Sequence, residues 1–192
     1  EVHGDDADGM RINSSDVANR NILGQQVGAL YGYEYSNGKF VDQTGNGIIT
    51  TNDPVIIGNP IPVYVGGITS SFRYRDFGFD LVIDGAAGHD VLNLSSMYSD
   101  DDPVDVISDK YVEKGDFIRL KKLNFSYSIP LKTKKIESLK VVLTGMNLLT
   151  LTGYSGWNPD VNTYGTSPMS AGIDYGSWPQ VRAITLGVGV DF

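Results

Sequence analysis

Five long stretches of this chain alternate between apolar and polar residues, and that period of two confines them to β-strands with unlike faces. The last of them is AITLGVGVDF, Ala183 to Phe192. Ile184, Leu186, Val188, Val190 and Phe192 are apolar, and the residues between them are small or polar. VYVGGITSSFRY sets Ile68, Ser70, Phe72 and Tyr74 against Thr69, Ser71, Arg73 and Arg75. After a short turn at Asp76, GFDLVIDGAAG sets Phe77, Phe79, Leu81 and Ile83 against Asp80, Val82 and Asp84. DFIRLKKLNFSYSIP (Asp116 to Pro130) places Leu123, Phe125, Tyr127 and Ile129 opposite Asn124, Ser126 and Ser128. LKVVLTGMNLLTL (Leu139 to Leu151) sets Leu139, Val141 and Leu143 against Lys140, Val142 and Thr144. Asn21 to Ser36, rich in glycine and tyrosine, reads as a sixth strand.

The connections fall into two kinds. Short ones lie at Asp76 and Leu131 to Ser138, long polar ones at Asn93 to Glu113 and Thr152 to Ser177. Up-and-down strands with short turns at one end and long loops at the other describe an antiparallel transmembrane β-barrel of the outer-membrane kind. A soluble β-sandwich is the alternative, but it needs a second sheet over each apolar face. Here the second face carries Arg73, Arg75, Asp80, Asp84, Asn124 and Lys140, as a watery lumen requires. Composition allows either, since hydrophobic residues are 41% and no run nears the roughly 18 apolar residues of a spanning helix. A barrel's closing strand ends on an aromatic residue that assembly machinery recognises, and Phe192 fits that role as a barrel-assembly signal.

Catalysis finds no support. Cysteine is absent, and the two histidines, His3 and His89, lack the spacing of a metal or catalytic cluster. His89 reads as a rim or loop residue. Asp100, Asp101 and Asp102 form an acidic run of the kind that is usually solvated. The net charge of −8 argues against nucleic acid as a partner. One loop, DQTGNGIITTND, has the spacing of a calcium loop, with Asp42, Thr44, Asn46, Ile48 and Asp53 at ligand positions and Gly47 at the sharp turn. Only Asp42 and Asp53 bring charge, so the same loop also reads as asparagine and glycine turn chemistry with no cofactor. Tyr154, Trp157, Tyr164, Tyr175 and Trp178 gather in and around the last long loop. They fit contact with a sugar or a partner protein, and equally the aromatic girdle of a barrel.

Four phrases, in order, resemble the SusC/RagA family of TonB-linked outer-membrane proteins. These are IGNPIPVYVGGITSSFRYRDFGFDLVIDGAAGHDVLN, DFIRLKKLNFSYSIP, TGMNLLTLTGYSGWNPDVN and GIDYGSWPQVRAITLGVGVDF. The resemblance implies the C-terminal strands of a plugged barrel of about 22 strands. It also implies that the signal peptide, plug and N-terminal barrel strands lie outside these 192 residues. The family's fuller acidic version of the 42–53 loop makes this copy look eroded. The implied function is import of oligosaccharides or peptides across the outer membrane, driven by the TonB complex through the N-terminal part. The implied partners are a SusD-like surface lipoprotein and outer-membrane lipid. A siderophore or cobalamin receptor without a lid lipoprotein, or a soluble glycan-binding sandwich, are the alternatives.

Overall fold

The computed structural model describes residues 7–8, 18–100, 106–131, 133, 136–161 and 171–191. The chain divides into two compact units, residues 65–86, 117–152 and 180–192 forming one, and 1–64, 87–116 and 153–179 the other.

The first strands of the chain belong to minor sheets: β1 (Ala7–Asp8), β2 (Asn19–Asn21), β3 (Ala29–Gly32), β4 (Tyr35–Ser36), β5 (Lys39–Phe40) and β6 (Val55–Gly58). β1, β2, β3 and β6 form one small sheet, β4 and β5 a hairpin. The single strand expected over Asn21 to Ser36 is therefore broken. Gly24 and Gly28 take positive φ, and the Gly28 N–H is capped by the Asn21 side chain at 2.8 Å. Two left-handed residues cannot continue a ladder, so the chain turns.

The five long strands follow: β7 (Tyr64–Tyr74), β8 (Phe77–Ala87), then, after β9 (Asp90–Asn93) and β10 (Val112–Lys114), β11 (Phe117–Pro130) and β12 (Ser138–Thr152), and after β13 (Ile173–Asp174), β14 (Ala183–Asp191). The long strands form one sheet in the order β14-β12-β11-β8-β7. Its registered ladders are antiparallel. Phe192 lies outside the described residues.

Register makes the two faces explicit. Phe79, Phe125, Leu143 and Leu186 stand in one row, and Asp80, Asn124, Thr144 and Thr185 in the next. The apolar row is uncovered: Phe125 and Leu143 are about half exposed and Leu186 is 69% exposed. In water, each large apolar side chain left out of a core forgoes roughly 1.5–3 kcal/mol. Strands of 9 to 15 residues suit the roughly 9–11 residues a tilted strand needs to cross a bilayer.

One irregularity crosses the sheet. Between Leu120 and Lys122, β8 advances only from Ile83 to Val82, while β12 passes from Leu149 to Met146. Lys121 is the extra residue of a β-bulge against β8, and Asn147, at φ 49°, lies in the matching excursion of β12.

The other unit has its own core, with Leu30, Leu92, Leu94, Met97, Ile107, Tyr111 and Ile173 packed together. β9 pairs with β10 on one side and with β13 on the other. The long polar stretch after Asn93 is not all loop. It opens with α1 (Leu94–Ser99), whose Ser96 N–H is capped by the Asn93 side chain at 2.9 Å. Leu94 and Met97 face the core from that helix. Gly32 is fixed by close approach, because a Cβ there would meet the Ile107 carbonyl.

Candidate functional site

Three places hold the chemistry: the polar face of the large sheet, the 42–53 loop, and the segment around Tyr154.

Polar residues of the sheet do not stand singly. Asp80 accepts hydrogen bonds from Ser71 Oγ (2.5 Å), Asn124 Nδ2 (2.8 Å) and the Arg73 guanidinium (2.8 Å). Thr144 Oγ1 then donates to Asn124 Oδ1 at 2.7 Å, so the row ties four strands together. A second hub lies at Asp84. Arg119 binds it through Nε and Nη2 at 2.9 and 2.8 Å, and Lys121 Nζ donates to the same Oδ2 at 2.9 Å. Arg119 Nη1 also donates to Gln180 Oε1 at 2.9 Å. A two-pronged arginine–carboxylate pair of this kind fixes both side chains in place. Arg75 departs from expectation. It occupies the two-residue turn between β7 and β8 at φ 51°, and its guanidinium lies over the Tyr74 ring. It belongs to the turn and not to the polar rows.

In the 42–53 loop the carboxylates are already occupied. Asp42 accepts from the N–H groups of Gly45 (2.7 Å) and Gly47 (2.6 Å) and from Thr44 Oγ1. Asp53 is buried and takes the N–H groups of Gln43 and Thr44 on one oxygen and the N–H and hydroxyl of Thr50 on the other. Asn46 Oδ1 accepts from the Ile48 N–H, and the Ile48 side chain is exposed. The Gly47 N–H chiefly holds the Asp42 carboxyl below its usual range, against a weaker opposing effect of burial. The Thr50 N–H does the same for Asp53, more strongly. A cation at this loop would share those carboxylates with their N–H donors. Among the described residues no cluster of three or more His, Asp or Glu side chains is arranged to hold a metal.

The aromatic residues divide. Tyr154 is buried and its hydroxyl donates to Asp174 Oδ2 at 2.7 Å. Burial, then the Asp174 carboxylate, pushes its pKa well above the ordinary phenol value. Its role is therefore to pin the segment, and as placed it offers no surface to a solute. Trp157 is 77% and Trp178 90% exposed, while Tyr175 stacks edge-on against Tyr98 with ring centroids 5.6 Å apart. Tyr164 lies outside the described residues. A network unseen in the sequence holds the same segment. Ser155 gives both its N–H and its hydroxyl to Glu113, and Asn93 Nδ2 donates to Glu113 and to Ser155.

His89 lies in the short loop between β8 and β9, as a rim or loop residue would, but it is buried, with Nε2 3.4 Å from the Pro159 carbonyl oxygen. Asp100 is not free in solvent either: Tyr111 and Lys110 both donate to it. His3, Asp101 and Asp102 lie outside the described residues.

No protein-family model matches the chain. Among curated proteins it is similar to TonB-dependent receptor P3 of Formosa agariphila, with 30% identity over 88% of this chain and 22% of the relative. It is also similar to TonB-dependent receptor SusC of Bacteroides thetaiotaomicron, 24% identical over 88% of this chain and 20% of the relative. Among solved structures, the RagAB peptide importer in its open-open state superposes with a TM-score of 0.75 over 100% of this chain and 24% of that one, at 16% identity. This likeness shows the fold: an antiparallel β-barrel wall. The chain thus spans about a fifth of the length of these curated relatives. No helix among the described residues is long and apolar enough to cross a membrane. Ordered motifs, strand register and relatives agree that this chain belongs to the TonB-dependent receptors of the SusC/RagA type.

Proposed function

We propose that the receptor containing this chain sits in the outer membrane and imports oligosaccharides or peptides using energy from TonB. The chain supplies pore wall and connecting loops. The observation that carries this reading is the large sheet, with one apolar face uncovered and the other laced by Asp80, Asn124, Asp84 and Arg119. Such a sheet suits lipid on one side and water on the other. Among the described residues its edge strands β7 and β14 each pair on one side only, as a wall continued by further strands requires. A SusD-like lipoprotein is the proposed partner, by analogy with the SusC relative and the RagAB peptide importer. No reaction is assigned, and the role is transport.

The test is uptake of labelled oligosaccharide and peptide by cells carrying the whole receptor, with and without TonB, together with extraction in mild detergent. Uptake that needs TonB, and a lipoprotein that co-purifies, are expected. A receptor that leaves the membrane fraction in plain buffer, or uptake indifferent to TonB, would overturn the assignment. TonB-dependent uptake of a metal chelate with no lipoprotein bound would replace it with the siderophore reading.

A further inference from the structure

The bulge at Lys121 does something that a regular strand cannot. In unbroken alternation Arg119 and Lys121 would share one face and Lys122 the other. Here Lys122 stands opposite Val82, on the face that carries Asp80 and Asp84. Arg119 stands opposite Asp84, and Lys121 reaches the same carboxylate. Three cations within four residues therefore lie on the polar face, and among the described residues Asp84 is the carboxylate that Arg119 and Lys121 share. Further along the same strand that face carries only the neutral Asn124, Ser126 and Ser128, and Asp80 is matched by Arg73. Among the described residues this leaves a local excess of about two positive charges, in a chain whose net charge is −8. Bulges re-aim side chains at functional positions. A wall that needed only hydration would not gather like charges, which repel one another. Lys121 is itself half exposed, at 53%, whereas Arg119 is buried behind it. Arg119 also holds Gln180 through Oε1, and the amide N–H₂ of that side chain is a further donor beside the cluster.

We propose that Lys121 and Lys122, backed by Arg119 and flanked by Gln180, form an anion-binding station on the pore wall that takes a carboxylate or sulfate group of the solute. This rests on the reading of the polar face as pore lining, and it narrows the solute to an acidic one. Asp84 locks Arg119 and leaves the Lys121 ammonium group to exchange between it and the passing anion, with Lys122 beside it. Charge-assisted bonds of this kind are the stronger ones, and a half-exposed site lets the anion leave again.

The probe is pyranine, a trisulfonated dye, titrated into the whole receptor in detergent. Salt-sensitive binding is expected, weakened on the order of ten-fold in Lys121→Gln/Lys122→Gln and retained in Lys121→Arg/Lys122→Arg. Equal affinity and equal salt dependence in the wild-type and the double glutamine variant overturn the station. The double arginine variant guards against misfolding as the cause of a loss. Competition then separates the sources of the anion: displacement by a galacturonate oligomer points to an acidic glycan, and displacement by oligoglutamate to an acidic peptide. Dye binding does not require TonB. A receptor that imports but binds dye without regard to the lysines refutes this inference alone, and lysine-dependent binding without TonB-dependent uptake refutes the importer alone.

Discussion

Leu186 and Thr185 are neighbours on β14, both exposed on the sheet, and they decide what surrounds it. Leu186 stands in the apolar row with Leu143, Phe125 and Phe79, and Thr185 in the polar row with Thr144, Asn124 and Asp80. If water bathed both faces, lysine at either position would be a surface substitution within about 0.5 kcal/mol of neutral. With lipid against the apolar row, Leu186→Lys near mid-membrane costs about 2–4 kcal/mol, while Thr185→Lys meets a wet face and costs little. The difference corresponds to roughly a 30- to 700-fold change in the folding equilibrium, at about 1.4 kcal/mol per factor of ten. The assay is urea titration of the whole receptor in lipid vesicles, with the folded fraction read from heat-modifiable gel migration. Equal midpoints for the two variants, or a larger loss for Thr185→Lys, would refute the assignment of faces and with it the barrel wall.

Tyr154→Phe removes the hydroxyl that donates to Asp174 Oδ2 and should loosen the segment around it by about 1–3 kcal/mol, visible as faster hydrogen exchange at residues 153–160. Unchanged exchange would show that the hydroxyl does not pin it. The 42–53 loop should ignore EDTA in a proteolysis time course, since backbone N–H groups already occupy both carboxylates; a chelator-induced cut there would restore the cation reading. Its acid response follows from the lowered carboxyl pKa of Asp53. Stability linked to that group is fully present above the unfolded carboxyl value of about 4 and is lost as pH falls toward the depressed folded value. Cleavage in the loop should therefore stay flat from pH 8 to about 5 and rise only below about 4. Gly32→Ala drives a methyl group into the Ile107 carbonyl and should destabilise that core by about 1–3 kcal/mol; an unchanged melting temperature would show that the backbone yields.

Much of the sheet was legible because its residues alternate. The hairpin of Phe72 and Phe79, the polarity of Asn124 against Phe125, and the closing strand all follow from period two. The phase break in β11 was legible too, though easily passed over. Apolar residues run Ile118, Leu120, then Leu123, Phe125, and the skipped step marks an inserted residue. Straight alternation would put Arg119 and Lys121 beside Phe125 on the apolar face, whereas the bulge returns both to Asp84. What alternation cannot show is pairing across distance. Nothing local joins Arg119 to Gln180, or Ser155 to Glu113, because those bonds depend on which strands become neighbours. The 42–53 spacing fits a cation loop, but backbone amides compete for the same oxygens, and spacing alone does not say which side prevails. Tyr154 shows the same limit: a tyrosine in a loop looks available until a buried Asp174 accepts its hydroxyl.

The unequal connections also set an order of assembly. β7 joins β8 through Arg75 and Asp76, and β12 follows β11 after residues 131–137, whereas β8 meets β11 only after residues 88–116 and β12 meets β14 only after residues 153–182. Loop-closure entropy grows by about 0.6 kcal/mol per doubling of length, so the β8–β11 ladder begins roughly 2 kcal/mol behind the β7–β8 hairpin. Local hairpins form in microseconds, and pairings of high contact order wait on the segments between them. The wall is thus built as two ready-made hairpins that zip together late. The Asp80–Asn124 and Asp84–Arg119 bonds lie across that late seam. They act as the rivets of the joined sheet, governing how slowly it comes apart more than how quickly it forms.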